Sequence, residues 1–177
     1  MSQKLEKIEE FTELLAVKFK DHAPNMQTER WLQLEVANCL MDSGMKVFCE
    51  YPYSKGKDEC DVVISGTDLH NPTHWIEIKP FGDEWSYNTP SELNDFKKDI
   101  QKLFMEKKSR GSGMFLFLVV ADCEEADKKM ERMIDAVSGW SIARPATKII
   151  SQTLKIFVWQ VENYNAEVLI TKGIDKL

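Results

Sequence analysis

Cys60-Asp61-Val62-Val63-Ile64 and Trp75-Ile76-Glu77-Ile78-Lys79 are the two runs on which the reading of this chain turns. Both are rich in β-branched and aromatic residues, which marks strands. Successive strand side chains point to opposite faces, so Glu77 and Lys79 share a face about 7 Å apart while Ile76 and Ile78 turn to the core. If the strands pair, Asp61 joins them. Two carboxylates and an ammonium on one sheet edge can hold a hard cation through oxygen and place a water beside it. These side chains are expected on a polar face, with no part in core packing. A strand with one wet face shows the same alternation, and Asp61, so near Lys57-Asp58-Glu59, also suits a turn.

Outward from this pair, period two also covers residues 45–53, giving three strands (45–53, 59–65 and 73–79) in a meander or hairpin series. Before them, Leu5, Ile8, Phe11, Leu15 and Phe19 recur at helical steps over residues 4–20. Glu29, Leu32, Val36 and Leu40 predict a second helix that starts at Asn25 or Thr28 and stops at Gly44. After them, Thr89-Pro90-Ser91-Glu92 opens a helix with a cap, a proline at its first position and a capping-box acid. Leu93, Phe96, Ile100, Leu103 and Phe104 form its buried stripe. Residues 114–121 are uniformly apolar and predict a strand buried on both faces. Asp122 and Glu125 then open a helix with Met130, Met133, Ile134 and Val137 on its inner side and Gly139 at its end. Strands at 154–162 and 167–171 complete the order α, α, β, β, β, α, β, α, β, β. With no repeat or linker, residues 1–177 read as one α/β domain on a central mixed sheet flanked by helices.

The Asp61 … Glu77-x-Lys79 arrangement, sixteen residues from Asp to Glu within α-β-β-β-α-β, resembles the PD-(D/E)XK nuclease superfamily, the restriction-endonuclease-like three-layer fold. The resemblance covers residues 26–121, and the first helix and the C-terminal elements read as elaborations. It implies a metal-dependent nuclease, cutting internally or from an end, in which Asp61, Glu77 and the Ile78 carbonyl bind Mg²⁺ or Mn²⁺. It further implies that Lys79 orients the attacking water and that a helix glutamate completes the site. Glu29 matches best, one turn before Leu32, with Glu35 second and Glu50 third. Cys60 stands where the family name has proline. The glutamine-tyrosine signature of the recombination-exonuclease branch is absent, because Gln101 is followed four residues on by Met105.

The chain has 23 Lys and Arg against 29 Asp and Glu, a formal charge of −6, so a nucleic acid, DNA before RNA, has to be met by a local basic patch. Lys97, Lys98, Lys102, Lys107, Lys108 and Arg110 fall on one predicted helix among Asp95, Asp99 and Glu106. Lys98 and Lys102 share a polar face and are the expected substrate contacts, although a solvated face reads the same way. Trp85 and Tyr87 are suited to stacking on a base or closing the core. His70 and His74 have helical zinc spacing, but Pro72 between them makes loop histidines the better reading. No cysteine spacing forms a metal or redox clip, and Cys49 and Cys60, which could meet on neighbouring strands, are expected as reduced thiols and not as a disulfide. The longest apolar run, residues 114–121, is far short of the roughly 20 residues that cross a bilayer. The charged opening stretch does not resemble an export signal, so a cytoplasmic protein is expected, with a homodimer or a protein partner as further possibilities. The rival functional class is a catalytically silent nuclease-fold protein that binds or regulates another protein.

Overall fold

A computed structural model describes residues 8–19, 29–66, 71–81, 90–110, 113–121, 126–136, 146–149 and 155–161. Helices α1 (Ile8–Phe19) and α2 (Glu29–Asp42) precede strands β1 (Lys46–Pro52), β2 (Glu59–Ser65) and β3 (Pro72–Phe81). Helix α3 (Pro90–Arg110), strand β4 (Met114–Ala121), helix α4 (Ala126–Ala136) and strands β5 (Ala146–Ile149) and β6 (Lys155–Gln160) follow. The order of elements is the one expected. The last strands differ: the 154–162 expectation is realised as β6, and β5 at 146–149 was not anticipated because Ala-Thr-Lys-Ile is too short to display a period. The strand expected at 167–171 lies outside the described residues, as do the caps Asn25, Thr28, Thr89 and Asp122.

The six strands form one mixed sheet in the order β1-β2-β3-β4-β6-β5. The first three pair antiparallel in sequence, as hairpins require. Strand β4 pairs parallel to β3, a geometry that needs a crossover, and α3 is the crossover. Strand β6 runs antiparallel to both β4 and β5. Helix α2 ends as its sequence dictates: Gly44 takes φ +82°, its N–H donates to the Met41 carbonyl at 2.8 Å, and the Met45 N–H donates to the Leu40 carbonyl at 3.2 Å. That pair of bonds closes the orphan carbonyls of the last turn, and Met45 and Leu40 both enter the core. At the start of β4, Gly113 has φ +118° and a Cβ there would stand 3.1 Å from the Thr73 carbonyl oxygen, so a side chain at this position would be strained and would crowd the approach to β3.

Each face of the sheet carries its own core. Phe11 and Leu15 of α1 and Leu32, Val36 and Leu40 of α2 pack on Val62, Ile64, Ile76, Ile78, Leu116 and Leu118. On the other face Phe96, Ile100 and Leu103 of α3 and Met130 and Met133 of α4 pack on Val63, Trp75, Phe115, Phe117 and Trp159. Residues 115–119 of β4 are buried throughout, as expected of a strand covered on both sides. Residues 74–78 of β3 are likewise buried, so neither face of that stretch is wet. Among the described residues no helix is long and apolar enough to cross a membrane.

Candidate functional site

The site begins where the pairing of β2 with β3 ends. That ladder runs from Ser65↔Pro72 to Val62↔Ile76 and stops, although both strands continue past it. On the other side of β2, the pairs Cys49↔Val62 and Tyr51↔Cys60 bracket Asp61, and the facing residue Glu50 is in the left-handed region at φ 54°. This backbone irregularity faces Asp61 from one side, and on the other side β2 and β3 fork beyond Val62↔Ile76. In the fork the Ile78 N–H donates to Asp61 Oδ2 at 2.7 Å, and the Cys60 thiol donates to the Ile76 carbonyl at 3.4 Å. Side chains thus take over from the ladder, as buried backbone groups demand. Helix α2 fixes the fork from above: Gln33 Nε2 donates to the Asp61 carbonyl at 2.6 Å, and Arg30 donates to Gln33 Oε1 at 2.7 Å.

Glu77 lies opposite, on the α3 face of β3, and is only 3% exposed. Tyr53 Oη donates to its Oε1 at 2.5 Å, and the Tyr53 ring stacks on Trp75 with centroids 5.5 Å apart. Trp75 in turn stacks on Phe115 and lies 4.8 Å beneath the Arg110 guanidinium. Burial raises the Glu77 carboxyl well above the usual range, and the charges of Asp61 and then Asp99 raise it further. Burial also raises Asp61, against the opposing pull of the Ile78 N–H and of a hydrogen bond with Glu77. The two carboxyls are therefore direct neighbours that resist ionising together. Burial raises Tyr53, aided by Cys60 and Glu77, so the phenol stays a donor.

Lys79 follows Glu77 on the same face. Its Nζ donates to Glu29 Oε2 at 2.8 Å and lies 3.2 Å from Asp99 Oδ2. Burial alone would lower the ammonium, but Asp99, Glu29 and Asp61 hold it above its usual value. Lys102 donates to Asp99 Oδ1 at 2.9 Å and stands 3.9 Å from Asp58. Burial pulls Lys102 down as well, yet Asp99 and Glu77 outweigh it. Glu29, Asp61, Glu77 and Asp99 are thus set against Lys79 and Lys102, a formal excess of two negative charges when all are ionised.

The helix glutamate at this site is Glu29. Glu35 acts instead on Lys18 and Cys39 beside α1, and Glu50 pairs with Arg30 in the open. Lys102 joins the site but Lys98 does not, because it pairs with Asp95 on the exposed side of α3 at 3.3 Å. The expectation of a polar face is corrected: Glu77 sits in an aromatic cluster, and Asp61 serves as the acceptor for a backbone N–H. Asp61 is a strand residue and not part of a turn. His74 belongs to β3, where it is buried beside Thr73 Oγ1 at 2.9 Å, rather than to a loop. Cys49 and Cys60 are free thiols. His70, Trp85 and Tyr87 lie outside the described residues.

Sequence reasoning missed Tyr53, Gln33 and Asp99. Asp99 had a signal: Phe96, Asp99, Leu103 and Glu106 fall at steps of three, four and three on the inner side of α3, where an acid is out of place. Tyr53 and Gln33 had none, being brought in by the hairpin and by the helix–sheet contact. Among the described residues no group of three or more His, Cys, Asp or Glu side chains is gathered for a metal ion. The neighbouring Asp61 and Glu77 carboxyls are oxygen donors of the kind a hard cation such as Mg²⁺ would need. Compared with protein-family models, curated proteins and solved structures, the chain has no match.

Proposed function

We propose that this protein is a divalent-metal-dependent nuclease of the restriction-endonuclease-like class that hydrolyses phosphodiester bonds in DNA or RNA. One observation carries the reading: a neighbouring Asp61–Glu77 pair stands where the β2–β3 ladder ends, with the Lys79 ammonium on the same strand face between Glu29 and Asp99. The α-β-β-β-α-β order, with β4 parallel to β3, supports the same class.

In this reading Asp61, Glu77 and the Ile78 carbonyl hold Mg²⁺ or Mn²⁺. When bound, the ion neutralises developing negative charge on the phosphate and lowers the pKa of water. Lys79 presents an ammonium that orients the attacking water and faces the phosphate. Glu29 restrains that ammonium from α2. Lys102, half-buried at the rim, offers a second cation for a neighbouring phosphate. The aromatic wall of Tyr53, Trp75 and Phe115 excludes solvent behind Glu77, so its charge acts in a low-dielectric setting.

The test is incubation of the purified protein with Mg²⁺ or Mn²⁺ and single-stranded, double-stranded and branched DNA and RNA. Lys79→Ala is expected to remove most cleavage and leave metal affinity in place, whereas Asp61→Asn is expected to lose both. The silent, protein-binding reading finds its support in the ties on Glu77 and Lys79, which are held by Tyr53 and by Asp99. No cleavage of any substrate, together with no metal binding by calorimetry, decides in its favour.

A further inference from the structure

The carboxylate of Asp99 is held from two sides. It sits on α3, 6% exposed, directly over the β3 face that carries Glu77 and Lys79. Its two oxygens are divided: Oδ2 faces Lys79 at 3.2 Å, and Oδ1 accepts from Lys102 at 2.9 Å. Lys102 is one helical turn away on the same helix, so the carboxylate is oriented before it meets Lys79. Glu29, the other partner of Lys79, comes from α2, whose residues pack on the opposite face of the sheet. The Lys79 stem therefore rises between anchors from two helices. A lysine side chain has four rotatable bonds, and one ion pair leaves its ammonium free to swing. Two anchors from different elements fix it in three dimensions.

We infer that Asp99 is a positioning residue that sets the Lys79 ammonium for the reaction, with Lys102 fixing the orientation of Asp99. This rests on the nuclease reading above and adds to it a residue outside the Asp61, Glu77, Lys79 and Glu29 set. Asp99 touches neither substrate nor metal and acts through Lys79. Asparagine at this position has the same shape but one oxygen, so it can accept from one lysine only and turns an amide toward the other. Glutamate keeps both oxygens and the charge on a longer stem.

The experiment compares wild type, Asp99→Asn and Asp99→Glu by steady-state cleavage and by the ¹⁵N-edited NMR signal of the Lys79 ammonium, assigned by its loss in Lys79→Ala. For Asp99→Asn, kcat is expected to fall by roughly 10–100-fold, the cost of a reacting group displaced by about 1 Å, with KM and metal affinity within a factor of about two. The Lys79 signal is expected to shift or broaden in the same variant. Asp99→Glu is expected to recover part of kcat and the signal. A Lys79 signal and a kcat unchanged in Asp99→Asn would overturn the inference, as would a loss expressed equally in KM, metal affinity and stability, which is what a merely structural residue gives. Wild type that cleaves nothing while Asp99→Asn still disturbs the Lys79 signal overturns the nuclease reading and leaves Asp99 an anchor without a catalytic role.

Discussion

The two faces of the sheet are built from different materials. The face under α1 and α2 is an aliphatic core of Leu, Val and Ile, whereas the face under α3 and α4 is dominated by Trp, Phe and Tyr. Among the described residues all three buried carboxylates, Glu77, Asp99 and Glu106, belong to the second face. Glu106 closes a purely structural knot, accepting from the Ser54 N–H at 2.9 Å, the Ser54 hydroxyl at 2.7 Å and Arg110. Asp99 instead pairs with Lys79, and Glu77 neighbours Asp61 and accepts from Tyr53. An aliphatic face can be optimised for packing alone; the aromatic face has to shelter charge, and that costs stability unless each group has a partner.

This contrast is open to attack from both sides. The largest expected effect is on the aliphatic face: Leu118→Ala leaves a cavity in a fully buried position and should cost about 2–5 kcal/mol. Thermal unfolding then falls by ~2–4 °C for each kcal/mol in a chain of this length, with cleavage per folded molecule unchanged. Next comes Asp61→Ala, which removes the acceptor of the Ile78 N–H and should cost about 1–3 kcal/mol. Asp61→Asn keeps an acceptor and should cost clearly less, which urea titration of the two variants side by side would show.

On the aromatic face the sign reverses. Burial and the charge of Asp61 raise the Glu77 carboxyl, so the metal-free folded state holds a proton that the unfolded chain gives up at ordinary carboxylate pH. Stability is fully present below the unfolded carboxylate range and is lost as pH rises through the raised folded value. Glu77→Gln mimics the protonated form and is expected to raise the melting temperature at pH 7 in chelator by about 2–4 °C, what ~1 kcal/mol gives at this length, with little change near pH 4. A melting temperature lowered at both pH values would show that Glu77 is not under strain. The smallest effect belongs to the irregularity beside the fork. Glu50→Gly relieves a left-handed residue and gives up an exposed ion pair with Arg30, so the melting temperature should rise by no more than about 2 °C.

The element order was legible because period and punctuation agree: Pro90 starts α3, Gly44 ends α2, and the Glu59–Ser65 strand begins and ends where expected. Asp61, Glu77 and Lys79 were legible as polar residues in apolar strands, and Glu29 as the acid at the head of the α2 stripe. What the residues could not display was the wrapping of the second face. Alternation in β3 looks the same whether Glu77 meets water or meets Tyr53 and Trp75, because the covering residues come from a hairpin and a crossover helix. The separation of Lys98 from Lys102 has the same origin: one helical turn apart, they divide between Asp95 and Asp99, and only the docking angle of α3 decides which faces the site.

The most direct measurement is isothermal calorimetry of Mn²⁺ binding to wild type, Lys79→Ala and Asp61→Asn, read beside cleavage of a mixed DNA and RNA substrate set by the same preparations. The Asp61–Glu77 fork as a metal-dependent hydrolytic centre predicts one ion bound by wild type and by Lys79→Ala, none by Asp61→Asn, and cleavage by wild type alone. Equal Mn²⁺ binding by all three, or cleavage that survives in both variants, would contradict it.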